Sequence, residues 1–175
     1  MINRSAVILF KPNEAYFRIE KLRADIARAF GGSSALDLPA HLTIIKWTDP
    51  QRVRSSTLGK LSLNMIDKPI QLGNISVSLE YRAVWLNILN EEVICRLARE
   101  VMDDLIDCGV SINGVVSTNK PHLTIAYKDY DIVKLHEIGK YCNSIGIRFV
   151  ADELIPDKFA ICEKATSGKW KLASY

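Results

Sequence analysis

The chain has 175 residues, 48% of them apolar and 25% charged, and 23 Lys and Arg against 20 Asp and Glu give a formal net charge of +3. This length and composition predict one domain with its own apolar core and exclude a disordered or fibrous class. The modest positive charge permits an anionic ligand but is far below that of a dedicated nucleic-acid coat protein.

The first half of the chain begins with a predicted strand and helix. The strand is the apolar, β-branched run at residues 6–10. Asn13 is the expected N-cap of the helix, and Gly31 and Gly32 are the expected stop. The apolar stripe between them is formed by Ala15, Ile19, Leu22, Ile26 and Phe30.

A second strand is predicted from His41, after Pro39. Asp49 and Pro50 have the character of an N-cap and a first helical position, which predicts a second helix to about residue 61. A third strand is expected at about residues 70–79.

The second half starts in the same way, with a strand predicted at residues 83–88 and Asn90 as the N-cap of a helix that stops at Gly109. A strand from His122 follows, and Asp131 is expected to open another helix. Further strands are predicted at residues 147–150, 159–162 and 170–172, with a hairpin turn at residues 166–168.

The two halves share a tetrapeptide. His-Leu-Thr-Ile occurs at residues 41–44 and again 81 residues later at 122–125, at equivalent places in a β-α-β-α-β pattern. Because no Gly-, Ser- or Pro-rich linker lies near residues 80–82, we predict a single domain over 1–175 with two lobes, about 1–80 and about 81–175. The expected class is α+β, with pseudo-two-fold symmetry, two antiparallel sheets forming a central cleft, and helices outside.

The repeated motif has a chemical consequence. Side chains alternate along a strand, so His41 and Thr43 share one face, as do His122 and Thr124. An imidazole has an ordinary pKa of about 6.5 and serves as base or acid near neutral pH. A threonine hydroxyl can donate a hydrogen bond to a phosphate oxygen. The quartet therefore suits attack at phosphorus.

Continued alternation gives further candidates for substrate binding. It places Trp47 on the His41 face, where the ring could stack on a base, and Lys128 on the His122 face, where the ammonium could pair with phosphate. Phe10 and Trp85 are candidates for the cleft floor. Lys46 is interpreted as a solvated surface charge.

The doubled His-x-Thr-x signature, its flanking prolines and the duplicated α/β unit resemble the 2H phosphoesterase superfamily. That superfamily includes RNA 2′,3′-cyclic phosphodiesterases (2′-5′ RNA ligase-like proteins) and phage enzymes that degrade cyclic oligonucleotides. The resemblance implies that His41 and His122 are the acid–base pair, that Thr43 and Thr124 bind phosphate, and that no metal or cofactor is used. One departure is that residues 31–38 lack the arginine found before the first motif in many RNA-processing members. This absence disfavours assignment to the cyclic phosphodiesterases of RNA ends.

The leading hypothesis is a metal-independent phosphodiesterase acting on a 2′,3′-cyclic phosphate, a 2′-5′ linkage or a cyclic oligonucleotide. A nucleotide- or RNA-binding module with little activity is the alternative. A third hypothesis is an RNA ligase that reverses cyclic-phosphate opening. The expected partner is a nucleotide or oligonucleotide substrate, including RNA, and the expected assembly is a monomer.

Location and redox chemistry are also predicted from the sequence. No segment approaches the ~20 apolar residues of a membrane span, so we expect a cytoplasmic protein without a membrane partner. The cysteines lack the paired spacing of a zinc or redox site and are interpreted as structural; they are Cys95, Cys108, Cys142 and Cys162.

Overall fold

The computed structural model describes residues 2–32, 34–49, 68–107, 115–117, 120–146 and 148–173. Within them the predicted α+β class is confirmed. The helices are α1 (Glu14–Phe30), α2 (Glu91–Asp107) and α3 (Ile132–Ser144). The strands are β1 (Ile2–Phe10), β2 (His41–Asp49), β3 (Ile70–Ser78), β4 (Ala83–Ile88), β5 (Val115–Ser117), β6 (His122–Tyr127), β7 (Glu153–Leu154), β8 (Pro156–Lys164) and β9 (Trp170–Leu172).

Two of the predicted helix caps are confirmed. The side chain of Asn13 accepts a hydrogen bond from the backbone N–H of Tyr16 at 2.8 Å, and α1 ends before Gly31, whose φ is 74°. The side chain of Asp131 accepts from the N–H of Lys134 at 2.8 Å and so caps α3. In both helices the cap satisfies a backbone donor that the first turn leaves unpaired.

Helix α2 begins after Asn90, as predicted, but this side chain bonds elsewhere. Its Oδ1 accepts from the N–H of Gln71 at 2.9 Å, and its Nδ2 donates to the carbonyl of Pro69 at 2.9 Å. Both partners lie at the start of β3, where the backbone groups need partners more than the exposed first turn of α2 does. Asn90 therefore joins two elements.

The described strands form one antiparallel sheet, in the order β7-β3-β4-β6-β2-β1-β8-β9, with β5 paired to β2. The prediction of two separate sheets was therefore wrong. The connection between the two sides of the sheet is a single pair, Leu42 of β2 with Leu123 of β6. These are equivalent residues of the two repeats, which is the register that a two-fold axis between them would require.

The two sides of the sheet do not coincide with the two halves of the sequence. Strand β3 of the first half pairs with β4. From the second half, β8 pairs with β1, β9 pairs with β8, and β5 pairs with β2. Each half of the chain therefore supplies strands to the other side. The cause is local for β3 and β4, because residues 79–82 form a tight turn between them, and strands joined by a short turn pair with each other.

The end of the chain differs from expectation at one place. Residues 148–150 are not a strand, and the next strands are β7 and β8. Phe149 is nevertheless 1% exposed. Its side chain is buried although its backbone is not in a strand, which explains the apolar residue at this position. The hairpin at residues 166–168 is confirmed, with Gly168 at φ 85° donating its N–H to the carbonyl of Ala165 at 2.9 Å. The helix predicted from Asp49 to residue 61 falls largely outside the described residues.

The main apolar core lies between the helices and one face of the sheet. It contains Ile19 of α1, Val101 of α2 and Leu135 of α3 together with Leu42 and Leu123 at the centre of the sheet. A smaller cluster on the opposite face is formed by Val7, Leu9, Leu38 and Cys162. No helix among the described residues is long and apolar enough to cross a bilayer.

The described cysteines fit a structural role. Cys95, Cys142 and Cys162 are free, and Cys108 lies outside the described residues. Burial raises the pKa of Cys142 to about 11 and that of Cys162 to about 12, so neither forms a thiolate readily near neutral pH.

Candidate active site

The two repeated motifs lie side by side at the centre of the sheet. Leu42 pairs with Leu123, and both side chains are fully buried in the main core. The flanking residues of each motif therefore point to the opposite face. Extending this antiparallel register by one residue sets His41 against Thr124 and His122 against Thr43. We call this side of the sheet the histidine face; on it the four side chains predicted from the motifs lie together, all half-buried.

Both imidazoles are oriented by a backbone carbonyl two residues earlier in the chain. Nδ1 of His41 lies 2.8 Å from the carbonyl oxygen of Pro39, and Nδ1 of His122 lies 2.9 Å from that of Lys120. Because a carbonyl oxygen only accepts, Nδ1 must carry the proton in each ring. Nε2 of each neutral ring then carries the lone pair and can accept a proton.

Burial favours the neutral form of both rings. It lowers the pKa of His41 to about 4, and the positive charges of Arg23, Lys46 and His122 contribute in the same direction. The pKa of His122 is lowered less far, again by burial and then by the charge of Lys46. Both histidines of the unliganded protein are therefore neutral at pH 7.

A β-bulge interrupts each motif strand directly after its threonine. The extra residue is Ile44 in β2 and Ile125 in β6, and the neighbouring strands skip both in their pairing. An unpaired residue reverses the alternation of all side chains beyond it. The bulges sit at equivalent places, so both strands change face at the same distance from their histidine.

The bulge in β2 corrects one prediction and supplies a residue that was missed. Trp47 does not share the histidine face; it is 2% exposed and belongs to the main core, although it borders a cavity beside Lys46. Lys46 occupies the position on the histidine face that was expected for Trp47. There its charge acts on both imidazoles. The sequence does contain a signal for this, because Ile44 and Ile45 are consecutive apolar residues that break the period of two.

Of two other predicted substrate-binding residues, Phe10 lies in the core and Lys128 lines the cavity. Phe10 was expected in the cleft, but it is 5% exposed in the main core, because its neighbour Leu9 is the residue that pairs with His41 and shares its face. Lys128 lies just beyond β6 with φ of 57°, and its Nζ is 4.8 Å from the ring centroid of Tyr127. Lys128 and Lys46 line the same cavity.

Trp85 lies on the histidine face, as expected, and stacks on a catalytic candidate. It pairs with Thr124, and its ring centroid is 4.6 Å from that of His122 with an angle of 31° between the planes. Its Nε1 donates to Oδ1 of Asn87 at 3.1 Å, and Nδ2 of Asn87 donates to Oγ of Ser76 at 2.8 Å. No pattern in the sequence pointed to Asn87. This chain of contacts fixes the plane of the His122 ring.

The segment before His41 is fixed by an ion pair from α1 whose guanidinium is buried and whose carboxylate is half-buried. The guanidinium of Arg23, 2% exposed, donates to Oε1 of Glu20 at 2.6 Å and to the carbonyl of Leu38 at 2.8 Å. Glu20 also accepts a hydrogen bond from the N–H of Ala40. The two side chains thus hold the backbone that leads directly into His41.

No three His, Cys, Asp or Glu side chains among the described residues are grouped so that they could hold a metal ion. The absence of a metal or cofactor stays a prediction.

No protein-family model and no curated protein matches the sequence. Solved structures are similar in fold. Escherichia coli LigT complexed with NADP+ superimposes with a TM-score of 0.53 at 16% identity, covering 98% of this chain and 93% of LigT. The chain has the LigT fold. LigT complexed with 3′-AMP gives a TM-score of 0.51 at 16% identity, covering 99% of this chain and 97% of LigT.

The LigT fold extends over nearly the whole of both chains, so no large segment of either lacks a counterpart. At 16% identity the comparison shows a shared fold.

Proposed function

We propose that this protein is a metal-independent 2H phosphodiesterase that hydrolyses a nucleotide phosphodiester. The observation that carries the proposal is the meeting of both motifs at the Leu42–Leu123 pair, with each histidine presenting Nε2 on the same face. The fold similarity to LigT, whose structures hold the nucleotides NADP+ and 3′-AMP, supports a nucleotide ligand.

The two histidines take different roles because their environments differ. The pKa of His41 is lowered further than that of His122, so a single proton shared by the pair resides on His122. His41 is then the general base, and its Nε2 takes a proton from the attacking water. The water oxygen bonds to phosphorus as the ester P–O bond breaks, and Nε2 of His122 gives its proton to the departing ribose oxygen.

Charge on the phosphate is stabilised by donors from both strands. The hydroxyls of Thr43 and Thr124 donate to its non-bridging oxygens, and the ammonium of Lys46 adds a positive charge from the same face. A bound phosphate also raises the pKa of both histidines, because an anion favours the protonated imidazole. Substrate binding therefore favours uptake from solvent of the proton that His122 needs.

The lowered pKa values predict an unusual pH dependence. Because kcat/KM reports the free enzyme, both of its limbs should lie below pH 6.5, with the acid limb near pH 4, where His41 becomes protonated. The kcat profile should lie at higher pH, because bound phosphate raises both pKa values. Rates measured from pH 4 to 9 test this, and a kcat/KM optimum above pH 7 would contradict it.

The same shift links pH to stability. A folded-state pKa of about 4 for His41 against an ordinary 6.5 means that the unfolded chain binds more protons between these values. The contribution of His41 to the free energy of unfolding is therefore complete above pH 6.5 and falls as the pH decreases toward 4.

Trp85 is proposed as a positioning residue for His122. Trp85→Leu removes the stacked ring and is expected to lower kcat by about 10- to 100-fold, because a small misplacement of a catalytic group is costly. Trp85→Phe keeps a flat ring and should retain most of the activity. NMR titration gives an independent readout, because opening the site to water should return the pKa of His122 toward 6.5. An unchanged pKa in Trp85→Leu would show that the ring does not act through His122.

A product assay tests the proposed function. The panel comprises 2′,3′-cyclic mononucleotides, 2′-5′ oligoadenylate, cyclic dinucleotides and ADP-ribose cyclic phosphate. We expect repeated turnover of at least one of them. Stoichiometric binding without product from any member would instead favour a nucleotide-binding module of the same fold.

A further inference from the structure

A cavity of about 410 Å³ opens on the histidine face beside Lys46. Its position follows from the strand register. Ser5 of β1 pairs with Lys46 on one side and with Cys162 of β8 on the other. Lys164 lies two residues after Cys162 in β8 and pairs with Trp170 of β9. Paired residues share a face, so Lys46, Lys164 and Trp170 point to the same side of the sheet as His41. We call this space the lysine cavity; the residues that define it here are Lys46, Lys128, Lys164, Tyr127 and Trp170.

The three lysines of the cavity form no ion pair with a carboxylate in the part of the chain that the structure describes. Two carboxylates also line it, but each accepts hydrogen bonds from the wall. Asp37 accepts from the N–H of Trp170 at 3.3 Å. Asp129 accepts from both the N–H and the hydroxyl of Ser34, each at 2.7 Å. The carboxylates therefore hold the wall together, while the ammonium groups can bind a ligand.

The ligand class follows from the pairing of cations with rings. Tyr127 and Trp170 are both half-buried in the wall, and Nζ of Lys128 lies over the Tyr127 ring. Ammonium groups bind phosphate, and flat aromatic side chains stack on bases. A nucleotide unit combines these two features, whereas a purely apolar ligand would cover the three ammonium groups without offering them a partner.

The cavity is connected to the candidate active site through Lys46. This residue lines the cavity, and its charge also acts on His41 and His122. It follows His41 by five residues on one strand, which corresponds to roughly 16 Å between their Cα atoms at a rise of about 3.3 Å per residue. A phosphate held at the far side of the cavity is therefore a different phosphate from the one attacked.

We propose that the lysine cavity binds a second phosphate of the substrate together with its adjoining nucleoside. The inference rests on the proposed function and narrows it: the preferred substrate is an oligonucleotide of at least two nucleotides, and a mononucleotide fills only the histidine site. Lys128 and Lys164 bind the second phosphate, and Tyr127 and Trp170 flank its base.

The test compares kcat/KM for a mononucleotide 2′,3′-cyclic phosphate and for a dinucleotide that ends in the same group. The wild-type protein is expected to prefer the dinucleotide by about tenfold or more, because each charged contact contributes about one such factor. In the double variant Lys128→Ala and Lys164→Ala this ratio should fall at least tenfold. Lys171→Ala is the matched control, since this exposed lysine lies in β9 outside the cavity.

Equilibrium binding of the 5′-phosphorylated dinucleotide pApA gives a readout that does not need turnover. The double variant should bind it at least about tenfold more weakly and with a shallower dependence on salt, because fewer ion contacts form. If no substrate turns over but the double variant binds pApA more weakly, the proposed function is wrong and the cavity proposal is supported. If turnover occurs with an unchanged ratio, or if pApA binding is unaffected by the double variant, the cavity proposal is overturned.

Discussion

Replacement of His41 or His122 by alanine is expected to lower kcat by a factor of about 100 or more, the usual contribution of a general acid or base. Either change removes one of the two Nε2 atoms that act on the phosphate in the proposed mechanism. The loss should be of similar size in the double variant, because a reaction that lacks its base gains little from its acid.

His136 provides the matched control for these variants. It is the third histidine of the chain and lies exposed in α3, away from both motifs. His136→Ala should keep the wild-type rate, and thermal unfolding should show that all the variants are folded. Near-normal turnover in both His41→Ala and His122→Ala would rule out the acid–base pair.

The largest expected effect on stability is that of Glu20→Ala. It leaves the guanidinium of Arg23 buried without its carboxylate, and an uncompensated buried charge costs about 3–5 kcal/mol. It also removes the acceptor for the Ala40 N–H. Urea unfolding measures the loss directly, provided that the slope of the transition is unchanged.

The neighbouring Lys21→Ala is the control for this prediction. Lys21 lies in the same helix and pairs with Asp25 at the surface, with 76% of its side chain exposed, so its removal should change stability little. Combining Glu20→Leu with Arg23→Met should recover part of the loss, because no buried charge then remains. If Glu20→Ala is as mild as Lys21→Ala, the buried pair does not anchor the segment before His41.

The position of the motif quartet could be predicted from the sequence because it depends on short-range geometry. His41 and Thr43 flank one apolar residue, as His122 and Thr124 do, so an alternation of only three residues fixes their face. Prediction failed directly after the two threonines, at the bulges. A bulge depends on how a strand pairs with its neighbours, and the pattern of a single strand records it only as two consecutive apolar residues.

The exchange of β3 and β8 between the two sides of the sheet could not be derived from the repeat. A repeat shows that two units have the same elements, but it does not show which unit pairs with which strand. The Glu20–Arg23 pair was also unpredictable. An i,i+3 ion pair on a helix is usually at the surface, but here the guanidinium of Arg23 is buried and bonded to the carbonyl of Leu38.

The most direct test of the central claim is turnover of a nucleotide 2′,3′-cyclic phosphate in the presence of EDTA, with product counted per molecule of protein. The proposed mechanism predicts that product exceeds one equivalent many times over, at the same rate with and without EDTA. Loss of activity in EDTA, restored by a divalent cation, would contradict a reaction driven by His41 and His122 alone.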